Sequence, residues 1–130
     1  MHSFLDHIVI TVSDYSRALP VYQAICGGEP AVHVTDDGSA RFTRFYLGRS
    51  VVELAEVLDR PKGSMGLALS GRLDRSGPGV HLVCMPVPDL GATTAALEAD
   101  GVSLLRHDGH VYVHPRSSNG LMVQLTPRRE

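Results

Sequence analysis

The chain has 130 residues, 43% of them apolar, with 12 basic against 14 acidic side chains and a formal net charge of −2. That length suits one compact unit or two small modules sharing a core, and the charge balance gives no electrostatic footprint for nucleic acid or an anionic membrane. No apolar run approaches the roughly 20 residues of a membrane helix and the N-terminus lacks the pattern of a secretory leader, so the sequence reads as cytoplasmic.

From Leu5 to Val12 the chain alternates and is rich in β-branched residues, which predicts a strand. Ser13 or Asp14 then caps a helix reaching about Cys26, stopped by Gly27-Gly28. Pro20 lies inside that helix and predicts a kink or an early 3₁₀ turn. Three strands follow, at Ala31–Thr35, Arg41–Leu47 and Ser50–Val57, with Asp36-Asp37-Gly38 and Gly48-Arg49 as turns. Residues 1–57 therefore form a β-α-β-β-β module. Residues 58–78 are punctuated by glycine and proline and read as a connecting loop, with room for a short helix at Gly66–Ser70. A second module, 79–130, repeats the order. It has a strand at His81–Val87, a helix capped by Asp89 and stopped by Gly101, then strands at Val102–Leu105, His110–His114 and Leu121–Thr126.

The repetition is visible in the letters. His7-Ile8-Val9-Ile10-Thr11-Val12-Ser13-Asp14 and Leu82-Val83-Cys84-Met85-Pro86-Val87-Pro88-Asp89 are both period-2 strands that run into a capping Asp. Aligned on that Asp, His7 meets Leu82, which can neither bind a metal nor carry a proton. Counting back in twos puts His81 on the packing face and Leu82 on the face of His7. Glu53 interrupts Val51-Val52-Glu53-Leu54, and Gln124 interrupts Met122-Val123-Gln124-Leu125. A carboxylate buried among aliphatic residues needs a cation or a proton. Cys26 and Cys84 are isolated in apolar settings and read as buried reduced thiols. His110 and His114 alternate on one face with Tyr112. Arg41 and Arg44 face opposite sides of one strand, and Arg44, Arg49 or Arg116 could meet an anionic group.

Leu5–Asp14 followed by Ala18 and Tyr22, Gly77-Pro78-Gly79-Val80-His81, and His114-Pro115-Arg116-Ser117-Ser118-Asn119-Gly120 leading into Leu121–Leu125 resemble the vicinal oxygen chelate superfamily, the glyoxalase and bleomycin-resistance fold. The closing segment is similar to the end of methylmalonyl-CoA epimerases. The resemblance implies an α+β fold: two tandem β-α-β-β-β modules forming a curved, mostly antiparallel sheet around a pocket. It also implies a homodimer and a small-molecule substrate or ligand. Carried over position by position, the family's four metal ligands fall on His7, Glu53, Leu82 and Gln124, so the set is one short. Two readings stay open. One is an epimerase, isomerase or lyase acting on a small carbonyl or acyl compound by enolate-type proton transfer. Glu53, His7 and Gln124 would be its centre, with Glu53 or a carboxylate near Asp36-Asp37 as base, and with or without one Zn²⁺, Ni²⁺, Co²⁺ or Mn²⁺. The other is a metal-free protein that sequesters an antibiotic or biosynthetic intermediate. For it His7, Glu53 and Gln124 are a hydrogen-bonded cluster lining a cavity.

Overall fold

The computed structural model describes residues 4–59, 63–107 and 109–128. In chain order the elements are β1 (His7–Val12), α1 (Tyr15–Cys26), β2 (Ala31–Val34), β3 (Ala40–Leu47), β4 (Ser50–Val57), α2 (Ser64–Ser76), β5 (Gly79–Val87), α3 (Leu90–Ala99), β6 (Leu104–His107), β7 (His110–Val113) and β8 (Val123–Pro127). The fold is α+β, with β-α-β-β-β written twice and α2 between the copies. No helix among the described residues is long and apolar enough to cross a membrane.

The repeated strand-to-helix corner has one physical cause in both copies. Asp14 accepts a hydrogen bond from Arg17 N (3.1 Å) and Asp89 from Ala92 N (2.9 Å), so each carboxylate satisfies an N–H that the helix start leaves without a partner. Gly27 and Gly101 take positive φ (73° and 80°) just past the two helix ends, where a Cβ would be strained. Pro20 does not break α1, which is continuous from Tyr15 to Cys26. Pro20 and Ser16 are both exposed, so the carbonyl that the proline leaves without a donor faces water.

The sequence reads 58–78 as a connecting loop with room for a short helix at Gly66–Ser70, and the structure forms the longer α2 there, Ser64–Ser76. The helix buries Leu69 completely, which outweighs the loss of about 1 kcal/mol that each glycine brings to a helix interior. Gly66 serves packing here. A Cβ on it would lie 2.8 Å from the Asp59 carbonyl oxygen and 2.9 Å from Ser39 Cβ.

The chain divides into two compact units. One is Ile8–His81, and the other joins the stretch ending at His7 to the stretch from Leu82 onward. In the Ile8–His81 unit the strands run β2-β3-β4-β1, with β2/β3 and β3/β4 antiparallel. Val12, Phe45 and Leu54 form its core under Tyr15, Ala18, Leu19 and Tyr22 of α1. In the other unit the order is β5-β8-β7-β6, with β5/β8 parallel and the other two pairs antiparallel. Val111, Val113 and Leu125 pack there against Leu90 and Leu97 of α3. In each unit α1 or α3 covers one face of its strands, and strand alternation sends the intervening residues to the opposite face.

Candidate functional site

Glu53 lies in the Ile8–His81 unit, and His7 and Gln124 in the other. In the first, Leu54 and Phe45 point into the core under α1, so Glu53 and Arg44 point away from it. The β3/β4 register places Arg44 directly opposite Glu53. Arg44 Nε donates to Glu53 Oε2 at 2.5 Å, from a side chain half exposed to one only 7% exposed. This is the cation that the sequence requires for Glu53. Burial works against the Arg44 charge, but the Glu53 carboxylate, aided by Tyr46, outweighs it and raises the guanidinium above its ordinary pKa.

Arg44 also borders a recess of about 380 Å³ lined by Ala31, Val32, His33 and Tyr46. Thr11, spaced in twos from Val9 and His7 on β1, is fully buried, and its Oγ1 has no partner among the described residues. A buried hydroxyl without a partner costs about 1–3 kcal/mol, which a bound polar group would recover. Arg41 faces the other way. It pairs with Glu56 and lies 4.1 Å from the Tyr15 ring centroid, so it reinforces the α1 side and does not join Arg44. Asp37 is committed to its turn, accepting from Thr35 Oγ1 (2.8 Å) and Ser39 N (2.9 Å). That leaves Glu53 as the candidate base.

In the unit that carries His7 and Gln124, the β5/β8 register pairs Cys84 with Gln124, and β7/β8 pairs Tyr112 with Gln124. Val87, Val111 and Leu125 hold the α3 face. Alternation therefore gives Leu82, Cys84, Gln124, Tyr112 and His110 the opposite face, and sets His81 with Val83. Gln124 Nε2 lies 3.3 Å from His110 Nδ1, and the His110 ring meets Tyr112 edge-on at 6.3 Å. His110 thus belongs with Gln124. His114 instead accepts from Arg116 N at 3.1 Å and shapes the following turn.

His7 is braced by its neighbour, with Nδ1 2.9 Å from Asp6 Oδ2. Asp6 N donates to the Cys84 carbonyl at 2.9 Å, which ties this short stretch to β5. As a result one donor atom each from Asp6, His7 and Cys84 lie within 4.8 Å of one another. The Cys84 thiol is pushed up to about 12, first by burial and then by the Asp6 charge. The Asp6 carboxylate disfavours only the thiolate form of Cys84, and a carboxylate, imidazole and thiol together are a metal-ligating donor set. The residues present fit a divalent ion. Sequence reasoning missed Asp6 and Cys84 as donors. The available signal was period 2, since Cys84 follows Leu82 on the same strand face.

Two further features lie away from these groups. A groove of about 440 Å³ runs beside α1, lined by Thr11, Asp14, Arg17, Val21 and Pro78 among others, and none of Glu53, His7 or Gln124 borders it. His81 is half-buried with Nδ1 unpartnered among the described residues. Burial, then Arg72 and Arg75, lower its pKa from 6.5.

Two β-α-β-β-β units that carry His, Glu, Gln and Cys on the faces turned away from α1 and α3 define a glyoxalase-type α+β protein. The family model of the Glyoxalase/Bleomycin resistance protein/Dioxygenase superfamily matches residues 6–117, and the chain belongs to that superfamily. No curated protein matches it. Among solved structures, methylmalonyl-CoA epimerase from Mycobacterium tuberculosis is similar over 97% of this chain and 88% of its own, with TM-score 0.73 and 23% identity. A hypothetical protein from Bacillus halodurans C-125 is similar over 100% of this chain and 97% of its own, with TM-score 0.75 and 20% identity. A Streptomyces coelicolor methylmalonyl-CoA epimerase variant in complex with 2-nitronate-propionyl-CoA is similar over 97% of both chains, with TM-score 0.73 and 23% identity. At these identities the likeness shows the fold.

Proposed function

We propose that the chain is an epimerase-type enzyme that moves a proton at the carbon next to the carbonyl of a small acyl thioester. The observation that carries this reading is the buried Glu53 carboxylate on the face turned away from α1, fixed by Arg44, which itself borders a recess. A carboxylate held away from water and fixed by a half-exposed guanidinium is positioned to accept a proton from carbon. Arg44 orients the Glu53 oxygens and stands at the recess edge, where its guanidinium would meet a substrate carboxylate. In the unit that carries His7 and Gln124, a divalent ion would supply Lewis-acid chemistry. The choice of an acyl thioester is supported by the similar solved structures named for methylmalonyl-CoA epimerase.

The test is α-proton exchange of methylmalonyl-CoA in heavy water, followed by NMR. The wild type is expected to wash in deuterium. Glu53→Gln is expected to lose about 10²–10⁴ of the rate with an unchanged far-ultraviolet CD spectrum. Exchange at the wild-type rate in Glu53→Gln removes Glu53 from the mechanism. Tight stoichiometric binding with no exchange in the wild type replaces the enzymatic reading with the sequestering one.

A further inference from the structure

We propose that Asp6, His7 and Cys84 form a binding site for a borderline-soft divalent ion of the Zn²⁺ or Co²⁺ type, with the Cys84 thiolate as a ligand. The family pattern falls on His7, Glu53, Leu82 and Gln124, and it fails here at two places. Leu82 has no donor atom, and Glu53 is engaged by Arg44. The second module offers a replacement two residues along the same strand face. Leu82 and Cys84 point the same way by alternation, and Cys84 is 1% exposed with its sulfur among the three grouped donor atoms.

The geometry is close to what a tetrahedral ion needs. Ligand atoms at about 2.0–2.3 Å from a metal lie roughly 3.5 Å from each other, and the three donors are already within 4.8 Å. Charge closes: one carboxylate and one thiolate balance a divalent cation. Binding releases the thiol proton to solvent, and no electrons move. The fourth position has a neutral candidate. Gln124 is registered against Cys84 across β5/β8. With Nε2 directed to His110, the Gln124 amide oxygen is the atom left to approach an ion. Thiolate selects Zn²⁺ and Co²⁺ over Mn²⁺, which narrows the set that the sequence left open.

The inference shares His7 with the proposed function, but its test reads the metal and not turnover. Protein purified without a histidine tag or chelator is titrated with Co²⁺ and followed by absorption. The wild type is expected to develop a near-ultraviolet thiolate-to-cobalt charge-transfer band at one equivalent. Cys84→Ser is expected to lose the band and Cys26→Ser to keep it. His7→Ala and Asp6→Asn are expected to weaken Co²⁺ and Zn²⁺ binding at least tenfold. Folding of each variant is checked by CD, and His7→Ala keeps the test decisive if Cys84→Ser fails to fold. No band in the wild type overturns the site. So does a band that survives Cys84→Ser or vanishes in Cys26→Ser. No band in the wild type together with heavy-water exchange that depends on Glu53 would leave the enzymatic reading standing and this site refuted.

Discussion

Arg44→Gln is the perturbation that tests the logic of the Glu53 side most directly. The wild-type pair joins a carboxylate that is 7% exposed to a guanidinium that is 51% exposed. Removing one partner of a buried ion pair costs about 3–5 kcal/mol because the other charge is left uncompensated. Here one partner is half in water, and exposed pairs are worth only about 0–1 kcal/mol. The structure therefore sits between the limits, and Arg44→Gln is expected to cost about 2–3 kcal/mol. Glu53→Gln removes the buried charge instead and leaves Arg44 free to reach solvent, so about 1 kcal/mol is expected. The double variant has neither an orphan charge nor a pair. Its cost is expected to fall short of the sum of the single costs by about 1–2 kcal/mol. The assay is urea unfolding by far-ultraviolet CD, because the chain has no tryptophan to report by fluorescence. Midpoints compared at constant m keep the cycle interpretable. Additivity to within about 0.3–0.5 kcal/mol would refute the reasoning, since it would mean that Glu53 does not depend on Arg44.

Gly66→Ala separates propensity from packing. Alanine is better than glycine in a helix by about 1 kcal/mol, yet the new methyl would meet the Asp59 carbonyl oxygen at 2.8 Å. A net loss of about 1–3 kcal/mol in urea unfolding is expected, and stabilisation would show that α2 does not press on that backbone. His81 makes stability depend on pH. Its pKa is lowered on folding by burial and by Arg72 and Arg75, so below 6.5 the unfolded chain binds the extra proton first. That stability is complete above 6.5 and is lost as pH falls toward the folded value. Urea midpoints at about pH 7.5 and about pH 5.5 are expected to differ less in His81→Gln than in the wild type. An equal difference in both proteins would clear His81 of the effect.

How far the sequence revealed these features depends on the range of the interaction. Strand alternation and Asp caps are local. The two copies of strand, capping Asp and helix were legible, and their ends agree with the structure to within a few residues. Period 2 also placed Leu82 opposite to His81 and separated Arg41 from Arg44. The full extent of α2 was not legible beyond a short helix at Gly66–Ser70, because its glycines look like loop punctuation until Leu69 and Ser39 are seen across from them. The partner of Glu53 was legible only as a requirement. The sequence shows that a carboxylate among valines needs a cation, but Arg44 becomes that cation only through the Gly48-Arg49 turn, which fixes the β3/β4 register. Reading single positions as ligands was the weaker method. Leu82 looks like a lost site if each family position is judged alone. A strand face is the physical unit, and a donor two residues further on presents itself to the same side. On that reasoning Cys84 is the residue whose replacement separates a lost centre from a rebuilt one. Leu82→His should add little metal affinity if Cys84 already holds the ion, and should add much if the site is merely missing its fourth ligand.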